Sequence, residues 1–372
     1  MTLGDKPPFR ADHVGSLLRP KNLLAARDRH AKGAIDDETL RAIEDDAIRD
    51  AVRLQEDAGL QGITDGEFRR ALWHLDFLEQ IDGVKVVTGN FAAHFQRDDG
   101  VDVNFIPPTM TVEKKLDHVR DIQARDFEFL KSVTRRTPKV CIPSPSMLHF
   151  RGGRKAISRD AYADMGAFYA DLAQVYNAEM QSLAKLGLRY LQLDDTNFAY
   201  LCDDKIREAT RAMGEDPDEL PRTYCRLLNA SLAGRPADMA VTVHMCRGNY
   251  RSAWVAQGGY EPVAEILFNE LDVDGFFMEY DDERSGDFAP LRFLPKGKTV
   301  VLGVMTSKFA RLESADELKR RIDEAAKFAP LAQLAISAQC GFSSTVEGNE
   351  LTIDDEIAKL ERLVQVAEDV WG

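Results

Sequence analysis

The sequence predicts an α/β fold: a closed (β/α)8 barrel, or TIM barrel, in which residues 1–372 form a single domain. Two observations lead to this prediction. Eight short apolar runs recur along the chain, and amphipathic segments with helix-capping residues separate them. Apolar strands that alternate with helices indicate a parallel sheet covered by helices, and a count of eight favours closure. An open doubly wound sheet is the alternative.

The eight predicted strands are short and rich in apolar and β-branched residues, as expected for strands buried on both faces. They span residues 9–16, 62–66, 139–143, 190–193, 240–244, 275–279, 299–304 and 334–338. Residues 83–111 break the alternation, because 84–87 and 101–106 are typical of short strands joined by polar residues. We expect an inserted β-hairpin after the second strand, as either a substrate lid or a surface insertion.

Four long helices are predicted from apolar residues at helical spacing and from their end signals. Residues 37–57 stop before Gly59, and residues 160–186 stop before Gly187. Residues 314–329 open with a capping box formed by Ser314 and Glu317, and residues 354–371 close the chain.

Charge and composition exclude several classes of partner. The chain has 62 acidic and 48 basic side chains, which gives a net charge of −14. A nucleic-acid partner is not expected, because its affinity rests on a basic face that neutralises phosphates. No run of about 18 apolar residues predicts a membrane span, and the N-terminus lacks the pattern of a signal peptide. We therefore expect a soluble, cytoplasmic protein; self-association into a homo-oligomer stays open.

Polar residues at the predicted strand ends carry the functional information, because the active site of a βα barrel forms at the C-terminal ends of its strands. His244 and Cys246 are two positions apart and point the same way from an extended chain. Glu279 ends the next strand and Cys340 follows the last, so the four residues can converge on a zinc ion. The alternative is a buried histidine near unrelated thiols.

Such a site predicts a particular chemistry. Two thiolates and a carboxylate on Zn²⁺ leave a net charge of −1, which makes the metal a poor generator of hydroxide. An electron-rich metal is better suited to hold a substrate thiol as a nucleophilic thiolate, which favours alkyl transfer to sulfur. The other three of the five cysteines are predicted to be small buried side chains: Cys141, Cys202 and Cys225.

Six ordered motifs span nearly the whole chain: FRADHVGS (9–16), DGE (65–67), LQLDD (191–195), HMCRGN (244–249), MEY (278–280) and QCGF (339–342). Together they resemble the cobalamin-independent methionine synthase family, in its short single-barrel branch similar to the catalytic C-terminal half of the long enzymes. The resemblance implies a barrel of the type shared with uroporphyrinogen decarboxylase. It also implies a zinc site formed by His244, Cys246, Glu279 and Cys340.

The resemblance further implies how homocysteine is held. Glu67 and Asp194 would bind its ammonium group, with Asp195 beside them, and the turn at Val14, Gly15 and Ser16 would bind its carboxylate. The methyl donor would be 5-methyltetrahydrofolate, as the methyltetrahydropteroyl glutamate, or another methyl compound.

The sequence departs from the long enzymes at the donor side. The long enzymes carry a histidine in the loop after the seventh strand, thought to be the general acid. Here residues 303–308 read GVMTSK, without a histidine and with Lys308 at the end. Lys308 either takes over as proton donor or the donor is a different group. His13 either contacts a donor specific to this branch or is a buried histidine bonded to the backbone.

These observations predict a zinc-dependent methyltransferase that forms methionine from homocysteine, with His13, Asp194 and Lys308 as candidate catalytic residues. Two alternatives remain. One is alkyl transfer or cleavage with another thiol, as in coenzyme M transferases. The other is a metal-free decarboxylase or binding module of the uroporphyrinogen decarboxylase type.

Overall fold

The computed structural model of the chain describes residues 6–87, 93–97, 102–105 and 108–372. The strands are β1 (Gly62–Ile63), β2 (Asp82–Val87), β3 (Ala93–Gln96), β4 (Asp102–Phe105), β5 (Thr109–Asp117), β6 (Thr137–Pro138), β7 (Val140–Pro143), β8 (Tyr190–Asp195), β9 (Ala240–Met245), β10 (Gly275–Glu279), β11 (Thr299–Met305) and β12 (Leu334–Ala338). The α-helices are α1 (Lys21–Ala31), α2 (Asp37–Asp57), α3 (Leu75–Leu78), α4 (Ala124–Val133), α5 (Met147–Phe150), α6 (Met165–Leu186), α7 (Asn197–Tyr200), α8 (Asp204–Ala212), α9 (Leu220–Ser231), α10 (Glu261–Glu270), α11 (Ala315–Ala325) and α12 (Ile353–Trp371).

A parallel sheet forms the centre of the molecule and confirms the predicted α/β class. Its six strands lie in the order β7, β8, β9, β10, β11 and β12. β1 pairs in parallel with β6, which is separated from β7 only by Lys139. The strands of the six-stranded sheet are buried along nearly their whole length, as parallel strands covered by helices require.

The N-terminal segment contacts both the last strand of the six-stranded sheet and the β1 region. Ala11 forms a parallel bridge with Ile336 of β12, which brings the N-terminal segment beside the last strand. The same segment meets the β1 region, where Leu17 donates its backbone N–H to the carbonyl oxygen of Gly66 at 3.0 Å. In the part of the chain that the structure describes, the predicted first strand (residues 9–16) forms a single β-bridge, the one between Ala11 and Ile336. Gly15 has φ +140° and turns the chain away from a regular ladder.

The four long predicted helices are present as α2, α6, α11 and α12. α2 spans the predicted residues, and α11 has the predicted capping box between Ser314 and Glu317. α6 begins at Met165 instead of residue 160, because the Asp164 carboxylate accepts from the N–H of Ala167 and caps the helix there. No helix within the described ranges is both long and apolar enough to cross a membrane.

The region after β1 contains two antiparallel strand pairs, β2 with β5 and β3 with β4. Residues 88–92, 98–101 and 106–107 of the expected hairpin lie outside the described residues. Gln96 of β3 exchanges backbone hydrogen bonds with Trp254, at 2.7 and 2.8 Å. This exchange attaches the β3–β4 pair to the loop that follows β9.

A buried ion pair joins the N-terminal segment, residues 9–16, to the residue between β6 and β7. The Lys139 ammonium contacts Asp12 at 3.2 Å and lies 4.2 Å from the centre of the Phe277 ring. Asp12 also accepts a hydrogen bond from the Tyr190 hydroxyl. Every charge there has a partner, which is the condition for burying it.

Candidate metal and substrate site

One cavity of ≈ 790 Å³ lies at the C-terminal ends of the parallel strands. It brings together eight residues that the sequence singled out, although they come from five separate stretches of the chain. They are Val14, Ser16, Glu67, Asp194, Asp195, His244, Cys246 and Cys340. The predicted convergence of strand-end residues therefore occurs, as the architecture requires.

Three potential metal ligands form a cluster on one side of this cavity. One ligand atom each from His244, Cys246 and Cys340 lies within 4.8 Å of the others, and all three residues are buried. The two sulfur atoms are 3.3 Å apart. His244 and Cys246 come from the end of β9, and Cys340 comes from the turn after β12.

The cluster fits a metal ion such as zinc by its chemistry. Among the described residues, neither ring nitrogen of His244 has a hydrogen-bond partner, although both are buried. Buried polar atoms without partners are costly, so a ligand at this position is expected. A hydrogen bond from Cys246 holds the pKa of the Cys340 thiol well below its usual value, which favours the thiolate that zinc binds.

Glu279 is adjacent to this cluster but is engaged elsewhere. Among the described residues, the group of ligand atoms within 4.8 Å of one another contains His244, Cys246 and Cys340 but no oxygen of Glu279. Its carboxylate accepts from the backbone N–H of Arg247 at 3.1 Å and pairs with Lys308 and Arg284 at 3.4 and 3.3 Å. Burial alone would raise the pKa of Glu279, but these cations outweigh it and lower the pKa. Its role as a fourth ligand stays a prediction.

Lys308 is fully buried between two carboxylates, Glu279 at 3.4 Å and Asp281 at 3.5 Å. Burial opposes its charge, but the two acids outweigh burial and raise the pKa of Lys308 above its usual value. An ammonium with a raised pKa gives up its proton reluctantly. This position suits an ion-pair partner that fixes Glu279 better than a proton donor, so the predicted catalytic role has no support from the geometry.

Two carboxylates face each other in the same cavity, and Asp194 is the register partner of His244 on the neighbouring strand. Oxygens of Glu67 and Asp194 and the sulfur of Cys141 lie within 4.8 Å of one another, and all three residues are buried. Burial raises the pKa of Glu67 to about 7, with a further contribution from the Asp194 charge and opposition from Arg70. Burial likewise raises the pKa of Asp194 to about 6. Two confined carboxylates with raised pKa values suit a bound cation.

The predicted carboxylate-binding turn is packed so closely that two glycines are required. A Cβ atom on Gly15 would lie 2.7 Å from the Cys141 sulfur. A Cβ atom on Gly341 would lie 1.9 Å from the Ser16 hydroxyl oxygen, while Phe342 donates its N–H to the Ser16 carbonyl at 2.9 Å. The turn is therefore held directly against the loop that carries Cys340.

Asp195 lines the cavity, but its carboxylate is bonded within the protein. It accepts from the backbone N–H groups of Asn197 and Phe198 at 2.6 and 3.0 Å and from the Ser146 hydroxyl. Asp195 thereby satisfies the first two backbone N–H groups of the short helix α7, from the position before the N-cap residue Thr196. Its predicted role in substrate binding stays untested, and its contacts indicate that it anchors the strand end beside Asp194.

His13 does not line the cavity in the described structure. Its Nε2 atom contacts the carbonyl oxygen of Gly62 at 3.1 Å, and its backbone N–H donates to Asp12. Burial lowers the pKa of His13 to about 4, so the ring is neutral at physiological pH. These contacts match the alternative of a buried histidine bonded to the backbone.

Sequence reasoning missed the aromatic walls of the cavity. They are formed by Trp73, Phe95, Tyr200, Tyr250 and Trp254. Phe95 of β3 packs on Tyr250 with ring centres 5.4 Å apart, so the inserted strands supply part of the wall. Most of these residues lie in loops, which have no apolar periodicity. The one signal that could have predicted the walls is the number of aromatic residues in the stretches that follow the strand ends.

Comparisons with known proteins agree with this geometry. Residues 9–369 match the family model described as the cobalamin-independent synthase, catalytic domain. The chain is 45% identical over 368 residues to the uncharacterized protein YxjH of Bacillus subtilis, covering 98% of this chain and 96% of that protein. It is 26% identical to a methionine synthase of Pyrococcus abyssi, covering 88% of this chain and 84% of that protein.

A solved structure from Listeria monocytogenes, described as a provisional vitamin-B12 independent methionine synthase, has the same fold. It superposes with a TM-score of 0.79 and 37% sequence identity, covering 99% of this chain and 100% of that chain. The family match and these relatives show that the chain is a transferase. It belongs to the cobalamin-independent methionine synthase family.

Proposed function

We propose that the protein is a zinc-dependent methyltransferase that moves a methyl group to the thiol of homocysteine and forms methionine. The observation that carries the proposal is the placement of two binding groups in one cavity. The His244, Cys246 and Cys340 cluster suits a metal that holds sulfur, and the Glu67 and Asp194 pair suits an ammonium. An amino acid with a thiol needs both groups.

Glu67 and Asp194 provide the charge complementarity for the amino group. Both lie in a buried setting, where a charge-assisted hydrogen bond is stronger than in water. A bound ammonium would stabilise the charged carboxylates and lower their pKa values. The backbone and hydroxyl of Ser16, on the Val14–Ser16 turn, offer donors for the substrate carboxylate.

His244, Cys246 and Cys340 would hold the zinc ion, and Glu279 is the proposed fourth ligand. When bound, zinc would act as a Lewis acid that keeps a substrate thiol deprotonated at neutral pH. The ion pairs of Glu279 with Lys308 and Arg284 keep this carboxylate ionised and fix its position at the end of β10. Asn249 donates to the Gly341 carbonyl at 2.9 Å and so braces the loop that follows Cys340.

The aromatic walls support a planar methyl donor, because aromatic side chains bind flat rings through offset or edge contacts. We propose 5-methyltetrahydrofolate or another methyl compound in this part of the cavity. The half-buried rings of Tyr200 and Trp254 line the same cavity and would help to exclude water from the methyl group during transfer.

The residues of the site also argue against the two other functions. Coenzyme M and related thiols carry no ammonium, so they would bring no cation to the two buried carboxylates, whose protein partners are Arg70 at 3.4 Å from Glu67 and Gln192 at 2.7 Å from Asp194. A metal-free decarboxylase would not require two sulfur atoms 3.3 Å apart beside a histidine without partners.

A paired assay tests the proposal. Zinc-loaded protein is incubated with L-homocysteine and, separately, with coenzyme M or cysteine, and with a panel of donors. The panel contains methyltetrahydrofolate with one and with several glutamates, methylcobalamin and S-methyl sulfonium compounds. Methionine from homocysteine with at least one donor is the expected result. Methylation of another thiol instead, or of none with any donor, would contradict the proposal.

A further inference from the structure

Arg19 connects the loop that carries Glu67 to the loop that follows Cys340. It lies in the segment between the Ser16 turn and α1, outside the cavity, and it is buried. Its NH2 group donates to the carbonyl oxygens of Glu67 and Arg70 at 3.0 and 2.8 Å. Its NH1 group donates to Ser343 and Thr345, in the loop that follows Cys340.

The contacts with the second loop involve both backbone and side chain. NH1 lies 3.0 Å from the Ser343 carbonyl oxygen, 2.6 Å from its hydroxyl oxygen and 3.1 Å from the Thr345 carbonyl oxygen. Five acceptors therefore surround one guanidinium. Arginine suits such a place because its rigid planar fork can donate in several directions at once.

Glu67 needs such support because its backbone is strained. It has φ +59°, in the left-handed region that residues with a Cβ atom rarely adopt. Its N–H donates to the Asp65 carboxylate at 2.9 Å, and its carbonyl is held by Arg19 at 3.0 Å. This backbone conformation turns the Glu67 carboxylate toward Asp194, and strain of this kind persists only where surrounding contacts fix it.

We propose that Arg19 is a positioning residue that sets the Glu67 carboxylate relative to the Cys340 loop. It would thereby fix the distance between the ammonium site and the metal cluster. The inference rests on the proposed function for the nature of the ligand, a thiol or thioether amino acid. Arg19 itself touches neither the ligand nor the metal.

A double-mutant cycle tests this role. The dissociation constant for L-methionine and for L-homocysteine is measured by calorimetry on zinc-loaded wild type, Arg19→Met, Glu67→Gln and the double variant. We expect Arg19→Met alone to weaken binding roughly tenfold or more, and to have little further effect in the Glu67→Gln background. A general loss of structure would weaken binding to the same extent in both backgrounds, which would overturn the proposal.

Two further variants separate positioning from stability. Arg154 is a matched control, because its guanidinium also donates to two backbone carbonyls, those of Ile157 and Tyr162. Arg154→Met should lower the melting temperature without changing the dissociation constant. Arg19→Lys keeps the charge but has a single nitrogen, so it should recover stability more than affinity. Full recovery of affinity by Arg19→Lys would contradict the proposal.

The outcomes also distinguish this inference from the proposed function. If wild-type protein binds neither L-methionine nor L-homocysteine, the proposed function is wrong. If wild type binds them and Arg19→Met binds equally well, the proposed function stands and the positioning role is wrong.

Discussion

The sulfur atoms of Cys246 and Cys340 lie 3.3 Å apart, although 94 positions separate the two residues. Cys246 follows β9 and Cys340 follows β12, so the fold of the whole sheet determines their separation. The remaining three cysteines are buried elsewhere, and Cys141 is the one among them that belongs to the cluster with Glu67 and Asp194.

Replacement of Cys340 should abolish metal binding. Cys340→Ser removes one of three clustered ligands, and we expect the zinc content to fall from about one per chain to a small fraction. Elemental analysis of protein purified without chelator measures it. Cys225→Ala is the control, because Cys225 is a buried helical cysteine outside the cluster. Equal zinc content in both variants would contradict the assignment.

Binding of the amino acid should depend on pH through Glu67. Its pKa is raised to about 7, so the carboxylate is increasingly protonated as the pH falls through 7. An ammonium requires the ionised form, so affinity for L-methionine should decrease from pH 8 to pH 6. Calorimetry across this range measures the effect. Glu67→Gln should bind about ten- to a hundredfold more weakly and lack this pH step. An unchanged pH profile in the variant would exclude Glu67 as the titrating group.

Gly341 should tolerate no side chain. In Gly341→Ala the new Cβ would approach the Ser16 hydroxyl oxygen to 1.9 Å, so either the turn or the Cys340 loop must move. We expect an increase in KM for homocysteine of about tenfold or more, because misplaced binding groups lose hydrogen bonds. Gly259→Ala is the control, since its nearest atom would be 3.6 Å away. Identical kinetics of the two variants would show that the turn does not depend on this contact.

Glu356 should make the folded protein less stable at high pH. It is buried on α12, one oxygen accepts from the Leu18 N–H, and burial raises the pKa to about 8. A carboxyl group with a pKa raised on folding contributes its full stability below its unfolded pKa of about 4.5 and loses it as the pH rises through 8. Glu356→Gln keeps the acceptor and removes the titration.

The melting temperature of Glu356→Gln should therefore exceed that of the wild type by an amount that grows between pH 5 and pH 8, to roughly 2 °C or more. Thermal unfolding followed at several pH values measures this difference. Glu361→Gln, on the exposed face of the same helix, is the control. A constant difference across the range would contradict the raised pKa.

Much of the fold could be predicted from the sequence, because periodicity and capping residues reflect local forces. α2 and the capping box of Ser314 and Glu317 lie where those signals placed them. The structure of segment 9–16 was harder to predict, since its pairing with β12 consists of a single bridge between Ala11 and Ile336. The inserted strands pair as β2 with β5, which no local signal specifies.

The candidate site was predictable to the extent that strand ends meet in a barrel. That rule predicted that His244, Cys246 and Cys340 lie close together. It could not reveal that Cys141, inside an apolar strand, joins Glu67 and Asp194, because the direction of its side chain depends on the register of β7 against β8. Spacing also says nothing about the ion pair between Lys308 and Glu279.

The central claim is that the metal cluster and the carboxylate pair bind one and the same molecule. Zinc K-edge X-ray absorption tests it most directly, on zinc-loaded protein with and without saturating L-homocysteine. The account predicts one additional sulfur ligand on zinc in the wild type, with Glu67→Gln requiring a higher homocysteine concentration for the same change. An unchanged sulfur coordination number in the wild type at saturating homocysteine would contradict it.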